Sequence, residues 1–492
     1  MSSHKRKLSD ALASDATEVS QNGVPGPDPE RPKQKARTDT YISQPLHLAY
    51  PPTSPPNGGH RVKPVPFQLP TQIDSFSYDT SHTQQFDDTA LRYFVDPPPS
   101  ARLDYGYDRW ARKDDERGRL DPLLRALSRM KKDERKAPLV PDNGVVCWRG
   151  IMTKILTAPY EERDGWDLNV MFINGVLYLE EHLTKSRLQE KNNMTARQRL
   201  QTYYGYAFES YCTSETPSRS PTRPGEPPGW SGDVDTNVQW CSVVRTKLGD
   251  SRIIIGGEVD CVRGRYTGKT DTFVELKTSM AIRGPQDAAR FEKKLLKFYF
   301  QSFLLGVPEI FVGFRTPGGV ITTTQSFKTI EIPRLVRGKP GAWDPLICLD
   351  WGHSFLSFLK SAVPPCQAHA ETRDSAQVWR ATFAPGRGVT LRPLGPTDIA
   401  DVVDGEDRIG FLPLPHWDEL CVAAGVSTSP SAKAPPPPEV PRSGNQQHVS
   451  HSPAVAPVPG PPPNSGHPLA VAAPRTAPAS DTGASTARDI NI

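Results

Sequence analysis

Three acids and a lysine, each separated from its neighbour by one residue, sit in two short apolar segments, Gly257-Glu258-Val259-Asp260 and Val274-Glu275-Leu276-Lys277. On an extended chain alternate side chains share a face, so Glu258 pairs with Asp260 on one strand and Glu275 with Lys277 on the next. Strands over 253–261 and 272–279, joined by a loop holding Gly264, Gly268 and Lys269, predict an antiparallel hairpin. Such a hairpin gathers the carboxylates and the ammonium on one spot, which suits a hard divalent cation bound through oxygen beside a lysine that holds water or phosphate. The competing account is a half-buried strand pair with a solvated charged face. Acids crowded on a single patch repel one another, however, and a cation removes that repulsion.

The elements that must position these side chains can be read on either side. A helix is expected over 120–132, after the break at Pro97-Pro98-Pro99, and a strand over 145–148 that delivers Arg149-Gly150 and continues through 151–156. Asn174-Gly175 lies between apolar runs at 169–173 and 176–179, a hairpin signal. Thr195 and Gln198 form a capping box for a helix reaching Tyr211, on which Thr202, Gly205 and Glu209 share a stripe. Residues 213–235, rich in Ser, Pro, Thr and Gly, predict a mobile surface insertion before a strand at 238–245. A helix over 286–305 is stopped by Gly306 and Pro308 and aligns Lys294, Lys297 and Gln301 on a polar stripe. A hairpin around Pro317-Gly318-Gly319 and a helix over 350–360 complete an α+β pattern of mixed, largely antiparallel sheets flanked by helices.

The 492-residue chain is not evenly globular. Residues 1–70 are polar and proline-rich with basic clusters at Lys5-Arg6-Lys7 and Arg31 to Arg37, and residues 423–492 are mostly Pro, Ala, Ser and Gly. Both are expected to be disordered, leaving 71–422 as the folded domain. A net charge of +4 is too small for a protein that binds nucleic acid over its whole surface, so any polyanion site must be local. Seven cysteines without a Cys-x-x-Cys pair predict reduced thiols. With no run of membrane-spanning length and no signal-peptide core, a soluble intracellular protein is expected, its basic amino-terminal clusters compatible with nuclear import. His182 and His353 adjoin no motif, which disfavours a covalent His or Cys mechanism.

An acid followed on the next strand by Glu-x-Lys, here Asp260 with Glu275 and Lys277, is the general pattern of metal-dependent PD-(D/E)xK nucleases. Five blocks sharpen it: Trp148-Arg149-Gly150-Ile151-Met152-Thr153-Lys154, Gly205-Tyr206-Ala207-Phe208-Glu209, Gly257-Glu258-Val259-Asp260-Cys261, Glu275-Leu276-Lys277-Thr278 and Gln301-Ser302-Phe303-Leu304-Leu305-Gly306. In this order they resemble the DXO-type RNA decapping nucleases, and the basic arm and long tails resemble the fungal nuclear type that partners the 5′-to-3′ exoribonuclease Rat. The resemblance implies a PD-(D/E)xK nuclease-like core using Mg2+ or Mn2+. Glu209, Asp260 and Glu275 would bind the metal directly or through water, joined by the Leu276 carbonyl, with Glu258 acting through a bound water. Lys277 and Gln301 would position the attacking water or a phosphate oxygen, and Arg149 would contact RNA phosphates, so that Arg149, Glu209, Lys277 and Gln301 face the substrate.

The resemblance also implies hydrolysis at defective RNA 5′ ends. Pyrophosphate would leave from 5′-triphosphate RNA, the cap dinucleotide from incompletely capped RNA and NAD from NAD-capped RNA, in a nuclear protein that also stabilises an exoribonuclease. Two alternatives stand beside it: a non-catalytic scaffold for the exoribonuclease, and a DNA-directed nuclease of the same general fold, which would need no 2′-hydroxyl.

Overall fold

The computed structural model describes residues 45–51 and 64–423, apart from 220, 340, 374 and 375. The expectation of disorder at 1–70 therefore falls largely, and that at 423–492 almost wholly, outside the described residues. Within the first of these stretches Leu46–Leu48 pairs with Gly388–Pro393 at the edge of a sheet.

Two mixed sheets organise the described residues. A ten-stranded sheet runs, from that edge, through Gly388–Pro393, Trp379–Ala384, Trp166–Ile173, Val176–Glu181, Gly144–Trp148, Ser251–Glu258, Gln239–Leu248 and Phe67–Tyr78 to Gln84–Gln85. Only the two pairings made by Gly144–Trp148 are parallel there. A six-stranded sheet is ordered Ile321–Lys328, Glu309–Arg315, Phe273–Met280, Cys261–Val262, Tyr93–Phe94, Thr213–Ser214. In it the strands Phe273–Met280 and Glu309–Arg315 run parallel, as they must when the helix Pro285–Phe303 carries the chain back between them. The hairpins around Asn174-Gly175 and Pro317-Gly318-Gly319 and the Thr195–Gln198 capping box are present as the sequence predicts.

Helices fill and flank the sheets according to which residues alternate. Ile253 and Ile255 face a buried cluster with Ile151, Leu295 and Phe355, which also takes in Ile310 and Val312 of the second sheet, so that the helices Arg149–Thr157, Pro285–Phe303 and Pro345–Ala362 tie both sheets into one core. Ile254, pointing the other way, meets Leu123, Leu124 and Trp417 of the helices Asp121–Lys132 and Leu414–Ala423. The helix Ala196–Cys212 lays Tyr203, Phe208 and Tyr211 on Val274, Leu276 and Phe311, the outer face of the second sheet.

The frame corrects three expectations. The segment 151–156 does not continue its strand but is helical, because Ile151, Met152, Ile155 and Leu156 are all buried at helical spacing, a period that a short apolar run conceals. The segment 213–235 sends Trp230 and Val234 into the cluster beneath the helix Ala196–Cys212, so part of it packs rather than lying on the surface. The hairpin of the two acidic segments is divided. Ser251–Glu258 belongs to the ten-stranded sheet, and only Cys261–Val262 pairs with the second acidic strand, through Cys261 opposite Val274 and Val262 opposite Phe273. The chain crosses from one sheet to the other at Val259 and Asp260, where Val259 N–H donates to the Trp240 carbonyl.

Candidate active site

That crossing sets the geometry. Strand pairing along Phe273–Met280 stops at Val274 on this side, so the edge from Glu275 onward is open to the crossing segment. The Leu276 N–H, instead of joining a ladder, donates to Asp260 Oδ2 at 2.6 Å. Glu275 and Lys277 project from the opposite face to Leu276, and Lys277 Nζ reaches Glu275 Oε1 at 2.5 Å. Arg149 opens a helix immediately after the strand Gly144–Trp148, and its Nη1 donates to Glu275 Oε2 and to the Glu258 carbonyl, each at 3.1 Å. Gly257 permits this approach: a Cβ there would stand 2.9 Å from both Arg149 Cβ and Leu305 Cδ1. Glu209 comes from the helix on the outer face and borders, with Glu258 and Asp260, a cavity of about 170 Å³.

The acids are unequally compensated. Burial, then the charges of Asp260 and Glu258, hold the Glu209 carboxyl well above the ordinary range, and that carboxyl accepts no hydrogen bond among the described residues. Burial and the nearby Glu275 push Asp260 up to about 7. Burial raises Glu258 as well, against the pull of Arg149. Glu275 is the exception: burial acts upward, but Lys277 and Arg149 outweigh it and keep the carboxyl below its usual value. Lys277 is held charged, since Glu275 and Asp260 outweigh the opposing effect of burial. The donor set is thus oxygen-only, with more negative charge than two cations balance, and it suits a hard divalent ion. Among the described residues no three acidic, histidine or cysteine side chains are by themselves drawn close enough to enclose an ion, because Glu275 is engaged by Lys277 and Arg149 and Asp260 by a backbone amide.

Six of the expected site residues are thereby joined directly: Arg149, Glu258, Asp260, Glu275, Leu276 and Lys277. Glu209 joins them through the shared cavity. Gln301 does not: it is half-buried on its helix and its side chain makes no hydrogen bond among the described residues. Along the same stripe Lys297 pairs with Glu161 at 3.3 Å and Lys294 points to Ser279 Oγ at 3.5 Å. Sequence reasoning missed Gln239, whose side chain hydrogen-bonds Glu258, and Tyr206, whose hydroxyl is raised first by burial and then by Glu209. Tyr206 carried a signal, three residues before Glu209 on one helix, whereas nothing in the chain marked Gln239. His182 is buried, its ring pushed down to about 4 chiefly by that burial, and neither it nor His353 lines the cavity. All seven cysteines are free thiols.

A carboxylate and lysine set at the open edge of a mixed sheet, with a second acid on the crossing segment, defines a metal-dependent nuclease core. The chain belongs to the RAI1-like PD-(D/E)XK nuclease family, whose sequence profile matches residues 68–415. It is 38% identical over 451 residues to a decapping nuclease RAI1 of Mycosarcoma maydis, covering 73% of this chain and 89% of that protein. It is 35% identical over 348 residues to a decapping and exoribonuclease protein of Xenopus laevis, covering 66% of this chain and 82% of the relative. Among solved structures, Scheffersomyces stipitis Rai1 in complex with (3′-NADP)+ and calcium matches with a TM-score of 0.64 at 25% identity, over 74% of this chain and 98% of that one. Candida albicans Rai1 in complex with pU5 and Mn2+ shares the fold with a TM-score of 0.66 at 24% identity, over 77% and 100% of the two chains. Membership of this family carries dependence on a divalent metal, and the oxygen-rich, under-compensated donor set here fits one. Among the described residues no helix is long and apolar enough to cross a membrane.

Proposed function

We propose that this protein is an RNA 5′-end quality-control hydrolase. It would release pyrophosphate from 5′-triphosphate RNA, the cap dinucleotide from incompletely capped RNA and NAD from NAD-capped RNA. The observation that carries the reading is the chain of contacts Asp260–Leu276 and Arg149–Glu275–Lys277 on an open strand edge facing Glu209. The decapping nucleases among its relatives, and the five motif blocks, support RNA 5′ ends as the substrate.

Glu209, Asp260, Glu275 and the Leu276 carbonyl would hold the cation, with Glu258 contributing through water. Mg2+ or Mn2+, when bound, supplies charge neutralisation at the phosphate and acidifies a water. Lys277, kept charged by its neighbours, orients the attacking water or a non-bridging oxygen, a role the motif resemblance also gives to Gln301, half-buried on the helix Pro285–Phe303. Arg149 presents the rest of its guanidinium to the scissile phosphate while one nitrogen bridges Glu275 and the Glu258 carbonyl. No side-chain nucleophile is required. One site serves all three substrates because the scissile phosphate is common to them and only the leaving group differs. The reading extends to nuclear residence, on the basic clusters Lys5-Arg6-Lys7 and Arg31 to Arg37, and to stabilising a nuclear 5′-to-3′ exoribonuclease.

The test is manganese-dependent product release from matched 5′-triphosphate, unmethylated-cap, NAD-capped and 5′-monophosphate RNAs, with Glu209→Ala as the control. Release that vanishes in the variant is expected and ranks the substrates. A folded wild-type protein that releases nothing from any of them would replace this reading with that of a scaffold.

A further inference from the structure

The face of the ten-stranded sheet that carries Glu258 at its catalytic end carries a band of cations at the other. Arg252 and Glu258 lie on one strand, six residues and about 20 Å apart, and so share that face. Lys247 stands directly opposite Arg252, and Arg245, two residues before it on the same strand, is opposite Ile254. Like charges set across a strand pair repel, and here no acid answers them. Among the described residues the side chains of Arg245 and Lys247 form no hydrogen bond or ion pair, and Arg252 donates only to Asn143 Oδ1 at 3.1 Å. The acid of the adjoining turn, Asp250, lies toward His353 at 3.8 Å, on a helix that packs against the other face.

Nearer the catalytic end Asp74, nearly buried, faces the same way opposite Val243. It meets two cations at once, Lys136 at 2.7 Å and Arg129 at 3.6 Å. Arg129 also lies 4.8 Å over the ring of Phe86, which is 38% exposed. Arg129 and Lys136 come from the helix Asp121–Lys132 and the turn after it, where six cations between Arg125 and Lys136 accompany two acids, Asp133 and Glu134. Asp142, beside Asn143, and Glu419, engaged by Lys132, border the band and leave it cationic.

We propose that this band is an exosite for single-stranded RNA, outside the catalytic cavity, that holds a transcript remote from its reacting end. Cations two apart on a strand, as Arg245 and Lys247, or four apart on a helix, as Arg125 and Arg129, recur every 6–7 Å or so, roughly the repeat of a phosphate chain. The exposed ring of Phe86 among them offers a surface to a base, a combination that suits RNA better than an acidic peptide. A net charge of only +4 requires any polyanion site to be local, and the excess is concentrated here. The inference rests on the reading of the chain as an RNA nuclease and adds to it a dependence on transcript length.

The experiment uses the full chain in a chelator, where no metal-dependent turnover occurs, and 5′-triphosphate RNAs of about five and about thirty nucleotides. Fluorescence anisotropy should show the long RNA bound about tenfold more tightly or better, with a gain that fades as salt is raised. Arg245→Gln, Lys247→Gln and Arg252→Gln together should abolish that gain and lower the slope of log affinity against log salt by about 2. The triple variant should melt no lower than the parent, and with manganese it should keep kcat and the affinity for the short RNA. Equal affinity of the parent for both lengths, or a gain that survives in the triple variant, would overturn the exosite. Competition by polyglutamate without any gain from RNA length would overturn it in favour of an acidic protein partner. Absence of both binding and turnover with either RNA would instead remove the RNA reading on which it rests.

Discussion

Glu275 and Asp260 carry the same charge within one site, yet their surroundings are opposite. Glu275, 1% exposed, answers two cations, Arg149 at 3.1 Å and Lys277 at 2.5 Å. Asp260 has one backbone amide and is pressed by Glu275 and Glu258. Removing a carboxylate therefore has two different consequences for the fold. Glu275→Gln strands two half-buried cations and should cost about 2 kcal/mol of stability, whereas Asp260→Asn relieves repulsion and should stabilise the metal-free protein by about 1 kcal/mol. Both should lose metal-dependent hydrolysis by more than about a hundredfold. Thermal melts in a chelator alongside manganese-dependent turnover check this; equal melting shifts of the two variants would contradict the charge balance, and retained turnover would remove the metal assignment.

Among the elements, the helix Ala196–Cys212 matters most, because it alone brings Glu209 to residues of two sheets. Its capping box fixes where it starts, and Phe208, the residue before Glu209, fixes how closely it lies on the sheet. Phe208 packs over Gly313, where a Cβ would stand 2.5 Å from its ring. Gly313→Ala should push the helix outward, lowering stability by about 1–3 kcal/mol and kcat by more than about tenfold as Glu209 is displaced. A variant with unchanged melting temperature and kcat would show that the helix position does not set the site. The helix and its cap were legible from Thr195, Gln198 and the apolar residues that follow. The helical path of 151–156 was not, because four apolar residues in so short a run satisfy a buried strand as well as a buried helix, and only their burial between the sheets separates the two.

At the scale of the whole molecule, burial of neutral histidines gives the fold an acid-sensitive contribution to stability. His182 follows the strand Val176–Glu181 and His416 lies on the helix Leu414–Ala423, and burial is the leading reason that each is depressed from 6.5 to about 4, aided by Arg380 and Lys131 respectively. The folded chain keeps both rings neutral while the unfolded chain takes up protons below 6.5, so their contribution to stability is complete above 6.5 and is lost as pH falls toward 4, opposite in sign to that of the raised carboxyls of Asp260 and Glu209. Denaturant titrations over that window should show His416→Gln, which cannot charge, losing less stability on acidification than the parent chain, by up to about 3 kcal/mol. An unaltered slope in that variant would exclude His416 as a cause. The whole molecule also decides the site. The sequence alone singled out the side chains to which the chemistry is assigned, Glu258, Asp260, Glu275 and Lys277 by period-two alternation and Arg149 and Glu209 by the resemblance of their motif blocks, since alternation and motif order are local properties of the chain. It left open how they meet. A simple hairpin would have set the acidic segments side by side, whereas the fold assigns them to two sheets and carries the chain across at Val259–Asp260. The division follows from long-range pairing, with Gly256 held opposite Trp148 and Val274 opposite Glu309, and from packing at Gly257, none of which a local pattern encodes. Gln301, in a motif block yet without a side-chain hydrogen bond to the site, marks the same boundary: spacing placed it on the helix, and the tertiary packing of that helix set how far its side chain reaches.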